Sequence, residues 1–348
     1  MKKVSKNLYT WYQSKNYDFP WRMTNDVYKI WISEIMLQQT QVSTVINYYN
    51  NWIEKFPNIK ILANSQIDDV LKSWEGLGYY RRAHNIHETA KIIMCRYNGQ
   101  FPSDFNILLK LKGVGDYTAS AIMSIGYNKA YPAIDGNLKR VVARLAGIED
   151  FKNIVNKSKD YVQQLMFNGY VSEINQSLMD LGREICFPKD PKCRICPVKN
   201  YCFANKNNAI EKFTIKNKSN KKPIYDVSVG MIWKKNKILI SKRKKDGLLG
   251  GLWELPGGKK EKKESFSECL EREIYEELNI NVQIHKTIGV VKHHYSHFGI
   301  NMKGYHCNFK SGKICSNTSD GIKWIDLKDI EKYPFPKATL KLFDLAGC

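Results

Sequence analysis

Four regularly spaced cysteines are the clearest group of residues in this sequence that could bind a metal. They follow the pattern Cys186-x6-Cys193-x2-Cys196-x5-Cys202. Four thiolates in one short segment can hold either a zinc ion or an iron–sulfur cluster. The chain has nine cysteines, and the others are scattered. Since clustered cysteines in a reducing compartment favour metal binding over disulfides, we predict a metal site here.

A glutamate on an apolar helix face could act as a general acid. Glu34 shares one predicted helix face with the apolar residues Val27, Ile30 and Leu37. This spacing is typical of an amphipathic helix. Burial on such a face raises the pKa of a carboxyl and favours its protonated form. Periodicity alone favours a glutamate at the edge of the stripe that reaches solvent.

A second carboxylate, Asp135, lies just ahead of a helix predicted over residues 137–146. A helix N-terminus stabilises the charged form of a nearby carboxylate. We therefore expect Asp135 to be ionised where Glu34 is neutral. Such a difference in environment separates an acid from an anion within one site.

The elements that must position these residues include two glycines around a single valine, Gly113-Val114-Gly115. Glycine suits a backbone that turns left-handed or approaches a partner closely, so the pattern predicts a tight hairpin between helices. The N–H groups of Gly113 and Gly115 would open onto the next helix N-terminus, which is a ready anion site. Taken alone, the pattern also fits an ordinary helical turn.

Composition limits the architecture and the partners. At 348 residues the chain is long enough for two domains with their own cores. Its formal net charge of +21 suits a polyanion, although ribosome-associated and membrane-surface proteins share this property. The sequence has no apolar run long enough to span a bilayer, and its basic N-terminus lacks the apolar segment of a secretory signal. We expect a cytoplasmic protein that does not bind a membrane.

The second half of the chain changes from helical to strand patterns. Residues 205–223 contain six lysines and one glutamate, which indicates an exposed linker able to lie along a phosphate backbone. Residues 227–233 and 238–241 flank a Lys-Lys-Asn-Lys turn, which predicts a β-hairpin. A helix is predicted at about residues 269–278.

The segment from Gly258 to Ile280 resembles the Nudix box. The other matching residues are Glu264, Arg272, Glu273, Glu276 and Glu277. The last three glutamates share one helix face, where clustered carboxylates suit a magnesium ion with bound phosphates. Asn279 replaces the usual glycine, but asparagine tolerates the left-handed conformation that ends such a helix.

The run Ser33–Gln41 closely resembles the signature of MutY-type adenine DNA glycosylases, a helix-hairpin-helix family. Residues 74–83, the glycine hairpin and the cysteine spacing follow the same family, and the resemblance spans roughly residues 8–336. It implies that Gln39 wedges into the duplex and that Tyr79 stacks beside the damaged base.

The resemblance also assigns the chemistry. It implies that Glu34 protonates the leaving adenine and that Asp135 faces the positive charge that develops on the sugar. Tyr117 stands where endonuclease III-type lyases carry a Schiff-base lysine, which implies a monofunctional enzyme that uses water. Asn137 would orient that water or Asp135. Lys112, where proline is usual, should make the hairpin less stiff.

The same family implies a cofactor and a reader of the lesion. In the helix-hairpin-helix context the four cysteines indicate a 4Fe-4S cluster rather than zinc. The family typically ends in a Nudix-like domain that recognises 8-oxoguanine. Tyr295-Ser296-His297 resembles its Phe-Ser-His loop, with Ser296 as the hydrogen-bonding residue, while packing remains an ordinary role for Tyr295 and His297. Magnesium is expected only if the Nudix box is active.

We therefore predict an all-α helix-hairpin-helix glycosylase domain with a 4Fe-4S loop at residues 1–204, a basic linker at 205–223 and an α+β Nudix-like domain at 224–348. The expected substrate is duplex DNA with adenine opposite 8-oxoguanine or guanine, and the expected state is a monomer associated with the bacterial nucleoid. One alternative adds an active Nudix pyrophosphohydrolase to the glycosylase. Others are a bifunctional lyase, a non-catalytic DNA-binding protein, and a pyrophosphohydrolase fused to a DNA-binding module.

Overall fold

The computed structural model describes residues 1–213, 222–315 and 318–348. The chain divides into two compact units, and neither is continuous in sequence. The first combines Met1–Asn64 with Glu88–Lys218, and the second combines Ser65–His87 with Ser219–Cys348. Of the predicted linker, residues 214–221 lie outside the described part. The domain limits drawn from the sequence stay a prediction.

Helices dominate the chain up to residue 213. They are α1 (Lys2–Ser14), α2 (Val27–Leu37), α3 (Val42–Lys55), α4 (Ile59–Asn64), α5 (Ile67–Ser73), α6 (Arg81–Tyr97), α7 (Phe105–Leu108), α8 (Asp116–Ala121), α9 (Gly136–Ala146), α10 (Ile154–Met166), α11 (Val171–Glu184) and α12 (Phe203–Lys206). Short 3-10 turns cover Pro20–Arg22, Cys193–Ile195, Lys199–Tyr201 and Ile210–Phe213, and a π-helical turn covers Ile122–Gly126.

The core of the first unit is packed around α9, α10 and α11. Leu138, Leu165 and Leu178, one from each helix, are completely buried in it. Burying a leucine side chain contributes about 1.5–3 kcal/mol, so the three helices hold one another in place. The same core includes the fully buried Phe213, and it therefore extends beyond residue 204.

The second unit contains a seven-stranded sheet. Its strands are β1 (Ile224–Lys234), β2 (Lys237–Arg243), β3 (Trp253–Glu254), β4 (Gly257–Lys259), β5 (Ile280–His294), β6 (Gly299–Gly312) and β7 (Ser319–Asp326). The order is β3-β2-β1-β6-β5, with β4 paired to β1 and β7 paired to β2. Strands β1 and β6 run parallel, and the other pairs are antiparallel. Two more helices, α13 (Phe266–Leu278) and α14 (Lys337–Ala346), complete the unit.

Neighbouring residues of β1 serve opposite faces of this sheet. Met231 belongs to a core that also contains Leu342 of α14, whereas Ile232 belongs to a core that contains Ile274 of α13. Alternation of this kind follows from the two-residue repeat of a strand. The sheet therefore has a buried cluster on each side.

Two turns predicted from the sequence form as expected. The β1–β2 hairpin turns at Lys235 and Asn236, which have φ angles of 47° and 61°. Left-handed residues at such a turn match the twist of the strands. Asn279 ends α13 with φ 55°, so it takes the conformation of the glycine it replaces. Within the described residues, every helix is too short or too polar to cross a membrane.

Candidate functional site

Glu34 is buried on α2 and is hydrogen-bonded to a tyrosine. Its side chain accepts from the Tyr117 hydroxyl at 2.8 Å, measured to Oε2. Burial raises the pKa of Glu34, as the sequence predicted, and the nearby Asp135 and Asp180 carboxylates raise it further. The Tyr117 hydrogen bond and the charge of Arg22 lower the pKa of Glu34 but do not reverse its direction. The site therefore favours a protonated glutamic acid.

Asp135 caps α9, whose first residue lies one position before the predicted start. Asp135 Oδ1 accepts from the backbone N–H of Leu138 at 2.6 Å. Such bonds and the helix N-terminus favour the charged form, yet burial outweighs them and raises the pKa of Asp135. The expectation that only Glu34 has a raised pKa is therefore wrong. The two carboxyls differ in their partners, a phenol for one and helix N–H groups for the other.

Arg22 is a neighbour of this pair that the sequence reasoning did not single out. It lies in the turn Pro20–Arg22 and is surrounded by polar partners from α1 and α11. Its guanidinium donates to the Tyr12 hydroxyl at 2.8 Å and to the Gln176 side chain, and it forms an ion pair with Asp180 at 3.3 Å. The sequence carries one signal for this residue, because Arg22 directly follows the segment Phe19-Pro20-Trp21 with its two aromatic side chains.

Asn137 lies in the first turn of α9, and its side chain is held by the same helix. Its Oδ1 accepts from Arg140 Nη2 at 3.0 Å. The residue is exposed. The backbone N–H of Asn137 also favours the charged form of Asp135. The structure thus places Asn137 beside the carboxylate, and its role toward a water molecule stays a prediction.

The glycine hairpin forms ahead of α8. Gly113 has φ 74°, a left-handed conformation that favours glycine. Gly115 is extended and caps α8, and a Cβ placed on it would meet nothing within 4 Å. Both glycines are exposed, so a phosphate can approach the backbone at this hairpin. Lys112 next to them forms an ion pair with Glu88 at 2.6 Å.

Gln39 follows the end of α2 in a strained conformation. Its φ angle is 57°, which is rare for a residue other than glycine or asparagine. The preceding residue, Gln38, donates from Nε2 to Thr118 Oγ1 at 3.2 Å. Backbone strain of this kind is typical of functional positions, where the surrounding contacts maintain it.

The four predicted metal-binding cysteines lie at the C-terminal end of α9 and are free thiols. Arg144 donates to Cys186 Sγ at 3.4 Å, and its backbone oxygen accepts from Cys202 Sγ at 3.3 Å. Burial raises the pKa of Cys196 to about 12, and the other three sulfurs raise it too, so the four are electrostatic neighbours. Four neighbouring thiols fit an iron–sulfur cluster or zinc. Within the described residues, however, no group of three or more His, Cys, Asp or Glu side chains is arranged to hold a metal ion.

In the second unit, Tyr79 lies in a loop that its own neighbours hold rigid. Its φ angle is 51°. The loop is closed by Trp74 Nε1, which donates to the Gly78 oxygen at 3.0 Å, and by Gly76 N, which donates to the Tyr80 hydroxyl at 3.0 Å. The Arg82 guanidinium lies 5.6 Å from the centroid of the Tyr79 ring.

The segment Tyr295–His297 forms the loop between β5 and β6. Its turn is closed by Tyr295 N, which donates to the Phe298 oxygen at 2.7 Å. The Tyr295 ring stacks on Phe298, and burial raises the pKa of Tyr295 to about 12. Ser296 and His297 are exposed, and His297 lies edge-on to Tyr79 with ring centroids 6.1 Å apart. The structure therefore brings two predicted lesion-binding residues together within this unit.

The Nudix box forms the loop and helix that its sequence predicts, with α13 beginning three residues earlier. Arg272 binds Glu264 at 2.8 Å, Glu273 at 3.0 Å and Glu276 at 3.1 Å. A Cβ on Gly258 would lie 2.3 Å from the Glu273 carboxylate, so a larger residue here would have to displace that side chain. The remaining box glutamate, Glu277, has a pKa raised to about 7 by burial and by Glu254.

Comparison with known families matches both units. Residues 32–166 match the model of the HhH-GPD superfamily of base excision DNA repair proteins, and residues 228–345 match the NUDIX domain model. Among solved structures, a thermostable thymine-DNA glycosylase superposes with a TM-score of 0.55 at 28% identity, over 59% of this chain and 95% of the other. These matches agree with the two-part fold predicted from the sequence.

Relatives of known function cover the chain over its whole length. The adenine DNA glycosylase of Buchnera aphidicola subsp. Schizaphis graminum is 35% identical over 347 residues, which is 98% of each chain. The human adenine DNA glycosylase is 28% identical over 396 residues, or 97% of this chain and 72% of the human protein.

Proposed function

This chain belongs to the adenine DNA glycosylase family, and we propose that it removes adenine paired with 8-oxoguanine or guanine from duplex DNA. It is a DNA glycosylase of base excision repair. The observation that supports the adenine-releasing chemistry is the buried Glu34 carboxyl, hydrogen-bonded to Tyr117 and within electrostatic range of Asp135. The raised pKa of Glu34 supports a proton donor at this position.

The reaction begins with extrusion of the adenine nucleotide from the duplex, which costs a few kcal/mol of unstacking. Glu34 then gives its proton to the departing base, and the bond between base and sugar breaks. Asp135, in its charged form, stabilises the positive charge on the sugar. A water molecule then bonds to the same sugar carbon through its oxygen, and the proton that it loses restores the Glu34 carboxylic acid. Tyr117 stands where a Schiff-base lysine would, which supports hydrolysis without a lyase step.

We propose that Cys186, Cys193, Cys196 and Cys202 hold a 4Fe-4S cluster. The cluster would supply a fixed scaffold for this loop and no step of the hydrolysis. The loop carries Lys189, Lys192 and Arg194, whose charges suit a phosphate backbone. Purified protein should absorb broadly at the border of the visible and ultraviolet and contain about four irons per chain. A colourless, zinc-loaded and fully active protein would contradict this assignment.

Recognition of 8-oxoguanine would lie in the second unit, at Ser296 and its neighbours His297 and Tyr79. Ser296 is exposed at the tip of a closed turn, so its hydroxyl is available to a base. The Tyr79 and His297 rings can offer a stacking surface, and stacking contributes about 1–3 kcal/mol per base. Gln39 would fill the space left by the extruded adenine.

We propose that the Nudix box is a scaffold rather than a second active centre. Arg272 already binds Glu264, Glu273 and Glu276, which neutralises carboxylates that magnesium would need. The full-length chain should therefore show no meaningful magnesium-dependent hydrolysis of oxidised or normal deoxynucleoside triphosphates. Turnover that disappears in Glu276→Gln and Glu277→Gln would establish the alternative of a two-activity enzyme.

The test of the main proposal is base release from duplexes that hold one adenine opposite 8-oxoguanine, guanine, cytosine or thymine. Alkali cleaves the strand wherever adenine has been removed, so product length reports the reaction. We expect rapid release opposite 8-oxoguanine, slower release opposite guanine and little opposite thymine. Strand cleavage without alkali would favour a lyase, and no release from any duplex would refute the proposed activity.

A further inference from the structure

The helical segment Ser65–His87 packs as part of the second unit through specific polar contacts. On α5, Asp68 forms an ion pair with Lys242 of β2 and accepts from Trp253 Nε1 at 3.1 Å. The side chains of this pair are 28% and 19% exposed, so water screens them only in part. The ion pair therefore joins α5 firmly to the sheet.

Two further polar contacts lie close to the Tyr79 loop. Glu75 Oε1 accepts from the backbone N–H of Phe335 at 2.7 Å, and its other oxygen binds Lys72 at 2.9 Å. Lys72 also donates to the backbone oxygen of Tyr333 at 3.2 Å. Hydrogen bonds to charged groups are stronger than those between neutral groups, so these contacts help to fix the position of the segment.

On the other side of the loop, His84 Nε2 lies 2.9 Å from the Gly250 oxygen. The packing is close here, because a Cβ on Gly251 would come within 2.8 Å of the His84 ring. Tyr79 thus lies between two anchored stretches of chain, one through Asp68 and Glu75 and the other through His84. Its loop is also cross-linked internally, so movement of the anchors moves Tyr79.

The same sheet carries the recognition loop. Lys242 is on β2, and β2, β1, β6 and β5 are joined side by side up to the loop that holds His297. His297 and Tyr79 then meet edge-on. These contacts connect Asp68 to His297 through the strands of the sheet. The contact of His297 with Tyr79 then leads back to the segment that carries Asp68.

We infer that Asp68, Lys242 and Glu75 are positioning residues that fix the distance between Tyr79 and the Ser296–His297 loop, and so set the preference for 8-oxoguanine over guanine opposite adenine. This inference rests on the proposed function. Neither Asp68 nor Lys242 needs to touch DNA for this role. Its effect would appear in discrimination between the two mispairs, which depends on how well both loops fit one base.

The test compares single-turnover adenine release opposite 8-oxoguanine and opposite guanine in the full-length protein. We expect Asp68→Ala and Lys242→Met each to reduce the ratio of the two rates on the order of fivefold, with the rate opposite guanine nearly unchanged. The double variant should lose no more than Asp68→Ala alone, because both substitutions break the same Asp68–Lys242 ion pair. Asp246→Ala, which removes an exposed carboxylate in the loop after β2, is the matched control.

Trp253→Phe removes the N–H that donates to Asp68, but it also leaves a small cavity where the larger indole was, so its melting temperature is measured beside the ratio of rates. Equal losses opposite both partners, together with a lower melting temperature, would show a merely structural role and refute the inference. An unchanged ratio in a protein that still releases adenine would also refute it. If the wild type releases no adenine, the proposed function fails instead, and binding preference for the two duplexes still tests the positioning role.

Discussion

Glu34 and Glu264 are both glutamates near an arginine, yet their surroundings shift their pKa values in opposite directions. Glu34 is buried in the first unit, and burial raises its pKa although Arg22 opposes the change. Glu264 is half-buried in the second unit, where hydrogen bonds from Arg272 lower its pKa to about 2. A glutamate that holds a proton can act as an acid, whereas one that is permanently charged serves a salt bridge. The residue type alone therefore does not identify the catalytic carboxyl.

The largest loss of base release should follow removal of the acid, Glu34, or of its partner anion, Asp135. Glu34→Gln and Asp135→Asn should each slow base release about a hundred- to ten-thousandfold. The first substitution removes the proton donor, and the second removes the negative charge that stabilises the sugar at the same bond. Binding of the mispaired duplex should change little. Single-turnover rates measure the first effect and gel-shift titration the second.

Glu276→Gln is the matched control for these substitutions, since it makes the same change in the Nudix box. Its base-release rate should equal that of the wild type. Normal rates in Glu34→Gln or Asp135→Asn would remove that residue from the mechanism.

The rate of base release should also depend on pH, because it depends on the proton of Glu34. Because Glu34 acts when protonated, base release should fall as pH rises through its raised pKa, by about tenfold per pH unit above it. The Tyr117 hydrogen bond lowers the pKa of Glu34, so Tyr117→Phe should move this decline to higher pH. A single-turnover pH profile of both proteins checks this. A shift to lower pH would mean that the tyrosine does not stabilise the carboxylate.

The third prediction concerns specificity in the second unit. Ser296→Ala should reduce the preference for 8-oxoguanine over guanine opposite adenine, by about five- to tenfold if one hydrogen bond is lost. Truncation after Phe213 removes the sheet of the second unit but not its Ser65–His87 segment, and it should reduce this preference further. This end point retains the buried Phe213 side chain that truncation at residue 204 would remove. Ser311→Ala, an exposed serine on β6, is the control. Unchanged discrimination would place lesion reading in the first unit.

The smallest expected effect is on stability at the Nudix box. Arg272→Gln should slightly lower the melting temperature at neutral pH, because it removes the cation that three carboxylates share. The pKa of Glu264 is depressed, so the stabilisation is complete above the usual glutamate pKa of about 4.3 and is lost as pH falls toward about 2.

The difference between the two melting curves should therefore shrink over that acid range. Lys262→Gln, an exposed lysine in the same loop, is the control for the loss of a positive charge. A difference that stays constant down to pH 2 would show that the ion pairs are not its source.

Local rules predicted local features well. The α9 helix, the left-handed Asn279 and the strand–loop–strand around Tyr295 all follow from neighbouring residues. Features that depend on distant parts of the chain were not predictable. Arg22 meets Asp180, which lies 158 positions away, and the desolvation that raises the pKa of Asp135 comes from packing around it. Periodicity gives a helix its faces but does not say what covers them.

The grouping of Ser65–His87 with a sheet formed much later in the chain has a consequence for synthesis. Asp68 leaves the ribosome 174 residues before its partner Lys242. At about 5–20 residues per second, α5 waits roughly 9–35 s for the strand on which it packs. During that interval Asp68 has neither the Lys242 ammonium nor the Trp253 N–H that bind it in the finished protein. The segment Ser65–His87 therefore gains these contacts only after the second half of the chain has been made.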